Sequence, residues 1–231
     1  MKIAIIVPMQ EEAEFYRKHF RSEDREMFGS TEFEHFSVNG NDIYLGLSGI
    51  GKVNAAMNLA SLLSNVDIDM IFMTGSAGSM QDSVRKEDLI LPSEFAYHDA
   101  HNTLAGNYVE GQIPQEPARY ELSSDERNKF AKYLTDKGVK YKEGLVVTGD
   151  SFIASDVQKN EIKQNFKDAL GVEMEGAAFA QVASHFNVPL VAMRAISDNG
   201  DDNADDDFDA FVKKVGAKAA KLICDYVENL N

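Results

Sequence analysis

Short apolar runs rich in β-branched residues recur along the chain at 2–7, 43–48, 69–74, 88–91, 144–148, 170–174 and 189–196. Most are followed by stretches with a helical spacing of apolar residues, at 10–20, 52–64, 156–167, 176–186 and 206–229. Continuous apolar runs fit strands buried on both faces, and a 3.6-residue period fits helices that lay one face on a core. The alternation predicts an α/β fold, a largely parallel or mixed, twisted β-sheet flanked by α-helices on both faces. Between 26 and 48 two strand-like halves surround Asn39-Gly40-Asn41, a hairpin signal, so an antiparallel ribbon is expected to extend the sheet. Residues 98–122 hold Gly106, Gly111, Pro114 and Pro117 with little periodicity, and read as a long loop of the kind that serves function or an interface. The last helix, 208–230, carries a continuous core-facing stripe that includes Phe208, Phe211, Val215, Ile223 and Val227. No repeat or linker interrupts the pattern, and 1–231 reads as one domain.

Composition narrows the partners. The chain has 231 residues, 44% of them apolar, enough for one sizeable core. A net charge of −15 argues against nucleic acid or an anionic membrane surface, since phosphate binding needs clustered Lys and Arg. A small-molecule ligand stays open. Cys224 is the single cysteine, which rules out an intramolecular disulfide and suits a reducing compartment. The apolar start from Met1 to Pro8 is too short for a signal peptide or a membrane span, and reads as a first core strand. A cytoplasmic protein is expected.

Candidate chemistry concentrates in Val172-Glu173-Met174-Glu175-Gly176 and, one helix and one strand later, in Arg194-Ala195-Ile196-Ser197-Asp198. Strand alternation would point Glu173 and Glu175 to one side and Val172 and Met174 to the other. Carboxyl groups at the ends of two neighbouring core strands are costly to desolvate, and ligands of open α/β sheets bind at that end. Thr74-Gly75-Ser76-Ala77-Gly78-Ser79 lets a ligand approach the backbone, or is a tight structural turn. Met9-Gln10-Glu11-Glu12 opens a helix, where acids are favoured by the macrodipole alone; Glu12 gains meaning only by converging with the other strand ends. Phe152, beside a glycine turn, offers a face for a flat ring or folds back into the core.

Three suggestive patterns fail a closer reading. Gly46 to Val53 nearly matches the phosphate-binding P-loop, but Val53 stands where a magnesium-binding hydroxyl is needed. His98-Asp99-Ala100-His101 has the spacing of metal ligands but no third cluster or cysteine partner, so no metal site is expected. The acidic run from Asp198 to Asp209 is out of register with a calcium loop, and reads as solvated apart from Asp198.

Taken in order, Met9 to Glu12, Ser48 to Val53, Thr74 to Gly78, Tyr97 to Ala100, Thr148 to Ile153, Val172 to Glu175 and Arg194 to Asp198 resemble the 5'-methylthioadenosine/S-adenosylhomocysteine nucleosidases of the purine-nucleoside-phosphorylase superfamily. The resemblance runs from Met1 into the last helix. It implies hydrolysis of an N-ribosidic bond with release of adenine, without metal or organic cofactor. It also implies a homodimer whose 98–122 loop lies near the neighbouring site. By resemblance, Glu12 activates water and Asp198 protonates the purine N7. Glu175 holds the ribose hydroxyls and Met174 packs on the sugar. Phe152 stacks on adenine, whose edge meets the Ile153 backbone, while Ser76, Gly78 and Ser197 line the site. Met9, Ile50 and Phe208 receive the 5'-alkylthio group.

Residue types agree with that chemistry. An oxocarbenium-like state is stabilised by nearby carboxylates, and a general acid eases departure of the base. A carboxyl at a buried strand end among other carboxylates is expected to hold its proton, which suits Asp198. The competing readings are a phosphate-dependent nucleoside phosphorylase, a hydrolase of another purine nucleoside of the futalosine type, and an inactive nucleoside binder. Phosphorylases commonly place an Arg before the Gly-rich turn, where this chain has Ile71-Phe72-Met73. The chain departs from the family at Val7-Pro8, at Leu104-Ala105-Gly106, where an aromatic is common and Tyr108 is the nearest substitute, and in the acidic 201–207 stretch.

Overall fold

The computed structural model describes residues 1–21, 24–104, 106–122, 124–201 and 203–230, with the backbone alone at 206, 207, 209 and 210. Its sheet is organised around β1 (Lys2–Val7), which pairs in parallel with β4 (Asn41–Leu47) on one side and β5 (Met70–Ser79) on the other. Alternation divides β1 between two cores: Ile3, Ile5 and Val7 enter one, Ala4 and Ile6 the other. The first core is covered by α1 (Gln10–His19), α3 (Asp125–Asp136) and α6 (Ala204–Val227), through Tyr16, Phe130, Val215 and Ile223. The second is covered by α2 (Lys52–Leu63) and α5 (Gly176–Phe186), through Leu59, Leu62, Ala177 and Phe179. A smaller third cluster seats α4 (Asp156–Asn165) through Ile162.

The sheet is mixed, as expected, but part of it closes on itself. β5 pairs antiparallel with β9 (Gly171–Glu173), β9 pairs with β8 (Lys142–Thr148), and β8 with β6 (Leu89–Tyr97). β6 pairs antiparallel with β10 (Leu190–Asp198), which returns in parallel to β5. These pairings make a closed ring, from which β1, β4, β3 (Thr31–Val38) and β2 (Asp24–Phe28) extend as a ribbon. The β3–β4 hairpin turns at Asn39 and Gly40, with φ of 50° and 83°, as the paired positive values of its turn type require.

Several elements depart from the sequence reading. The ribbon has three strands rather than two, because a turn at Gly29 adds β2. The loop at 98–122 ends in the short strand β7 (Tyr120–Glu121), which pairs with β6. Helix α3 was not anticipated. β9 and β10 are not neighbours in the sheet; they flank β5 on its two sides. Ala105 of the loop, Asp202 of the acidic stretch and the side chains of Asp206 and Asp207 lie outside the described residues. Among the described residues, no helix is long and apolar enough to cross a membrane.

Candidate active site

The ends of β1, β4, β5 and β10 point the same way, and β9 runs back towards them from the opposite direction. Where they meet lies a cavity of about 390 Å³, within the range of small-molecule sites. Its walls include Met9, Ile50, Ser76, Gly78, Phe152, Met174, Glu175, Ser197, Asp198 and Phe208. Pro8, Val172, Glu173, Arg194 and Asp205 complete much of the remainder. A larger groove of about 730 Å³ lies beside β7 and the end of α5, but none of the site carboxylates reaches it.

Glu12 lies just beneath the wall, buried behind Ser76. One oxygen, Oε2, accepts from the Met9 N–H at 3.1 Å and closes the first turn of α1. The other, Oε1, accepts from the Ser76 N–H at 2.9 Å and the Ser76 hydroxyl at 3.2 Å. Burial raises the Glu12 pKa above its ordinary value, against the opposing pull of Arg194 and these donors.

Arg194 opens the Arg194–Asp198 motif, but sequence reasoning gave it no role of its own. It is fully buried in the middle of β10, directly after the apolar run Leu190 to Met193. Its Nη2 donates to Glu173 Oε2 and, at 3.3 Å, to Glu175 Oε2, while Nη1 reaches the Ser76 carbonyl at 3.3 Å. Burial opposes its charge, yet Glu173, Glu175 and Glu12 together hold the guanidinium protonated and raise its pKa. A cation inside an apolar strand is expensive unless paired, and this cost was a readable signal.

The strand alternation expected for 172–175 stops early. β9 ends at Glu173, so Val172, Glu173, Met174 and Glu175 all reach the same cavity. Glu173 is turned to structural duty: its carboxylate accepts from the Glu175 and Gly176 N–H groups at the start of α5 and from the Thr148 hydroxyl. Glu175 accepts from the Gly51 N–H at 3.0 Å through Oε1. Burial, with Glu173 and Glu12 nearby, lifts its pKa to about 7 although Arg194 and the Gly51 N–H pull it down.

Asp198, 2% exposed, is oriented by the Ser197 hydroxyl on Oδ2 and the Gly200 N–H on Oδ1, both at 2.8 Å. Gly78 gives it room: a Cβ there would stand 2.8 Å from Asp198 Oδ1. Phe152 is 41% exposed and meets Phe208 edge to face, their centroids 5.6 Å apart. Ile153 is the expected site residue whose side chain leaves the wall; it is buried in the third core cluster. His101 pairs with Glu110 and Asp99 with Lys52, and Tyr108 is not among the residues lining the cavity.

The sequence matches the profile of the phosphorylase superfamily over residues 2–228. It is 37% identical to a 5'-methylthioadenosine/S-adenosylhomocysteine nucleosidase of Haemophilus influenzae, over all of both chains. The fold superposes on the enzyme of that name from Neisseria meningitidis, in complex with methylthio-immucillin-A, with a TM-score of 0.92, 36% identity and 99% of each chain covered. A futalosine hydrolase of Helicobacter pylori is also similar, with a TM-score of 0.93 at 30% identity, covering 100% of this chain and 98% of that one. The chain therefore belongs to the phosphorylase superfamily and, within it, to the family of the 5'-methylthioadenosine/S-adenosylhomocysteine nucleosidases.

Proposed function

We propose that this protein hydrolyses the N-ribosidic bond of 5'-methylthioadenosine and S-adenosylhomocysteine, giving adenine and the thio-substituted ribose. The observation that carries the reading is that Glu175 and Asp198 line one largely apolar cavity while Glu12 lies directly behind its wall, bonded to Ser76, each acid no more than 4% exposed. Buried acids are costly, and two at one cavity with a third behind its wall fit chemistry better than binding alone.

In this reading the adenine lies on Phe152 with its edge towards the Ile153 backbone and Asp198. The ribose sits on Met174 with its hydroxyls donating to Glu175, and the alkylthio group enters among Met9, Ile50 and Phe208. Ser76, Gly78 and Ser197 complete the wall. Water beside Glu12 and Ser76 attacks the anomeric carbon while Glu12 takes a proton from it. The bond to the base breaks with its electron pair moving into the purine, and Asp198 supplies a proton to N7, so adenine leaves neutral. Positive charge developing on the ribose is met by the surrounding carboxylates. A Glu12 with a raised pKa is a stronger base than an ordinary carboxylate and is better matched to neutral pH.

Water fits better than phosphate as the nucleophile. Ile71, Phe72 and Met73 are buried and apolar where a phosphorylase would commonly offer an Arg. Arg194, the one cationic side chain among the described residues lining the cavity, is engaged by Glu173 and Glu175. A futalosine-type nucleoside is the second reading, favoured by the likeness to the Helicobacter pylori hydrolase. A homodimer belongs to the proposal as well. Val53 and Phe186 are exposed apolar residues that share one groove on the α2–α5 face, with Met57 also exposed on α2.

The test is chromatographic detection of adenine from 5'-methylthioadenosine in phosphate-free buffer and again with phosphate. Free adenine and free methylthioribose in both buffers is the expected result. A requirement for phosphate, with a sugar 1-phosphate as product, would make the protein a phosphorylase. Cleavage of futalosine but not of either thio-nucleoside would select the second reading.

A further inference from the structure

Two charged residues have no part in the reaction as described: Lys52 of the Gly-Lys turn that nearly matches a phosphate loop, and Asp99 in its histidine-flanked run. The fold joins them. Lys52 Nζ lies 2.6 Å from Asp99 Oδ2 and 3.6 Å from Asp150 Oδ2. The same Asp99 oxygen accepts from the Asp150 N–H at 2.9 Å, and Asp150 Oδ1 accepts from the Lys52 N–H at 2.8 Å. One residue earlier, the Gly51 N–H is the group that holds Glu175. Gly51 has a φ of 95°, where side chains are strained, and a Cβ would lie 3.0 Å from Asp150 Oδ1.

Each member of this cluster comes from a different strand exit. Lys52 follows β4, Asp99 follows β6 and Asp150 follows β8, while Glu175 follows β9. We propose that Lys52, Asp99 and Asp150 form a clamp that positions the Gly51 N–H on Glu175 and fixes the neighbouring 149–153 turn, making them positioning residues for ribosidic cleavage. The inference rests on the nucleosidase reading and adds to it. Its physical basis is a charge balance. The Asp99 and Asp150 carboxylates both face the Lys52 ammonium, which compensates the two charges. Partial burial works against ionisation of Asp99, yet Lys52 and the Asp150 N–H hold its pKa below the ordinary value, so the ion pair is formed at neutral pH. Lys52 and Asp99 are each about three-quarters buried, so solvent screens this pair less than an exposed one.

The turn so fixed also carries Phe152, on which the base would stack. A displaced clamp would therefore disturb both halves of the nucleoside site at once. Misplacement on the order of 1 Å in a reacting assembly costs up to about 10²-fold in rate.

The experiment compares wild type with Lys52→Met, Asp99→Asn and Lys52→Arg. It reads kcat, KM and the pH profile of adenine release, the thermal midpoint, and Glu175 titration by carboxyl-carbon NMR. Lys52→Met is expected to lower kcat by roughly 10- to 100-fold with little change in KM. The acid limb of its kcat/KM profile and the Glu175 titration should both move to higher pH, because the carboxylate loses the Gly51 donor. The other charged groups facing Glu175, namely Arg194, Glu173 and Glu12, are unaltered by the substitution. Asp99→Asn should act in the same direction, and Lys52→Arg should restore most of the rate. An unshifted pH profile and Glu175 titration in Lys52→Met would overturn the clamp. So would a loss that is uniform in pH, tracks the thermal midpoint and is not rescued by Arg. Adenine release by the wild type separates the two ideas: its absence refutes the nucleosidase and the clamp together, its presence with an unchanged Lys52→Met refutes the clamp alone.

Discussion

Glu12 serves two duties through two oxygens. Oε2 finishes the α1 start by accepting from Met9, and Oε1 faces Ser76 at the cavity floor. Helix capping, which competes with catalysis as an explanation in the sequence, is present, and it leaves Oε1 turned towards Ser76, where the proposed reaction needs it. Glu12→Gln should keep ligand binding, measured calorimetrically with 5'-methylthioadenosine, while adenine release falls by ~10²–10⁴-fold. Undiminished turnover would remove Glu12 from the mechanism. The pH dependence has a definite sign. The Glu12 pKa is raised and Glu175 stands at about 7, so kcat/KM should fall as pH drops through neutrality and these carboxylates take up protons. A profile flat from slightly alkaline to mildly acid pH would contradict that assignment. The carboxylates were legible in the sequence because an acid at the end of an apolar run has few inexpensive explanations. Arg194 carried the same signal in the middle of β10, and its importance lies in compensating the acids, which only their convergence reveals.

At the scale of elements, period and run length located most strands and helices because burial and periodicity report the same fact. The exceptions have physical causes. In α3 the buried residues are Arg127, Phe130 and Leu134, and the first donates to the Leu91 and Pro92 carbonyls, so a third of the inner face reads as polar. Ser124, whose side chain accepts from the Arg127 N–H, was the available start signal. β7 is too short to have a period. α6 had a clear stripe, and its first turns bring Phe208 to the cavity beside Phe152. Phe208→Ala removes apolar wall from the end of the cavity proposed to take the 5' group, while leaving the carboxylates in place. It should raise KM for the thio-nucleosides by about tenfold or more, from ~1.5–3 kcal/mol of lost burial, and lower kcat less. A loss confined to kcat would instead place Phe208 at the reacting centre.

At the scale of the molecule, what the sequence concealed is the closure of the sheet. The pairings of β10 with β5 and β6 join segments about a hundred residues apart, and no local pattern encodes a register over that distance. Closure matters because it brings β9 and β10 to β5 from its two sides and so sets Glu175 and Asp198 on one cavity. The same scale governs association. The chain carries a net charge of −15, which on its own favours separated molecules, yet Val53 is 76% exposed and Phe186 40% on one groove. Apolar side chains left uncovered on one face of a strongly charged protein fit a surface that another copy covers. Val53 also lies next to Lys52 at the start of α2, so an interface there would adjoin the Gly51–Glu175 contact. Wild type should sediment at twice the 25.6 kDa chain mass, and Val53→Glu should shift the population towards a single chain. If the partner's 98–122 loop helps complete each site, adenine release should fall with dissociation and recover as protein concentration is raised. A wild type that stays monomeric, or a Val53→Glu variant that remains a dimer with full activity, would move the interface off this face.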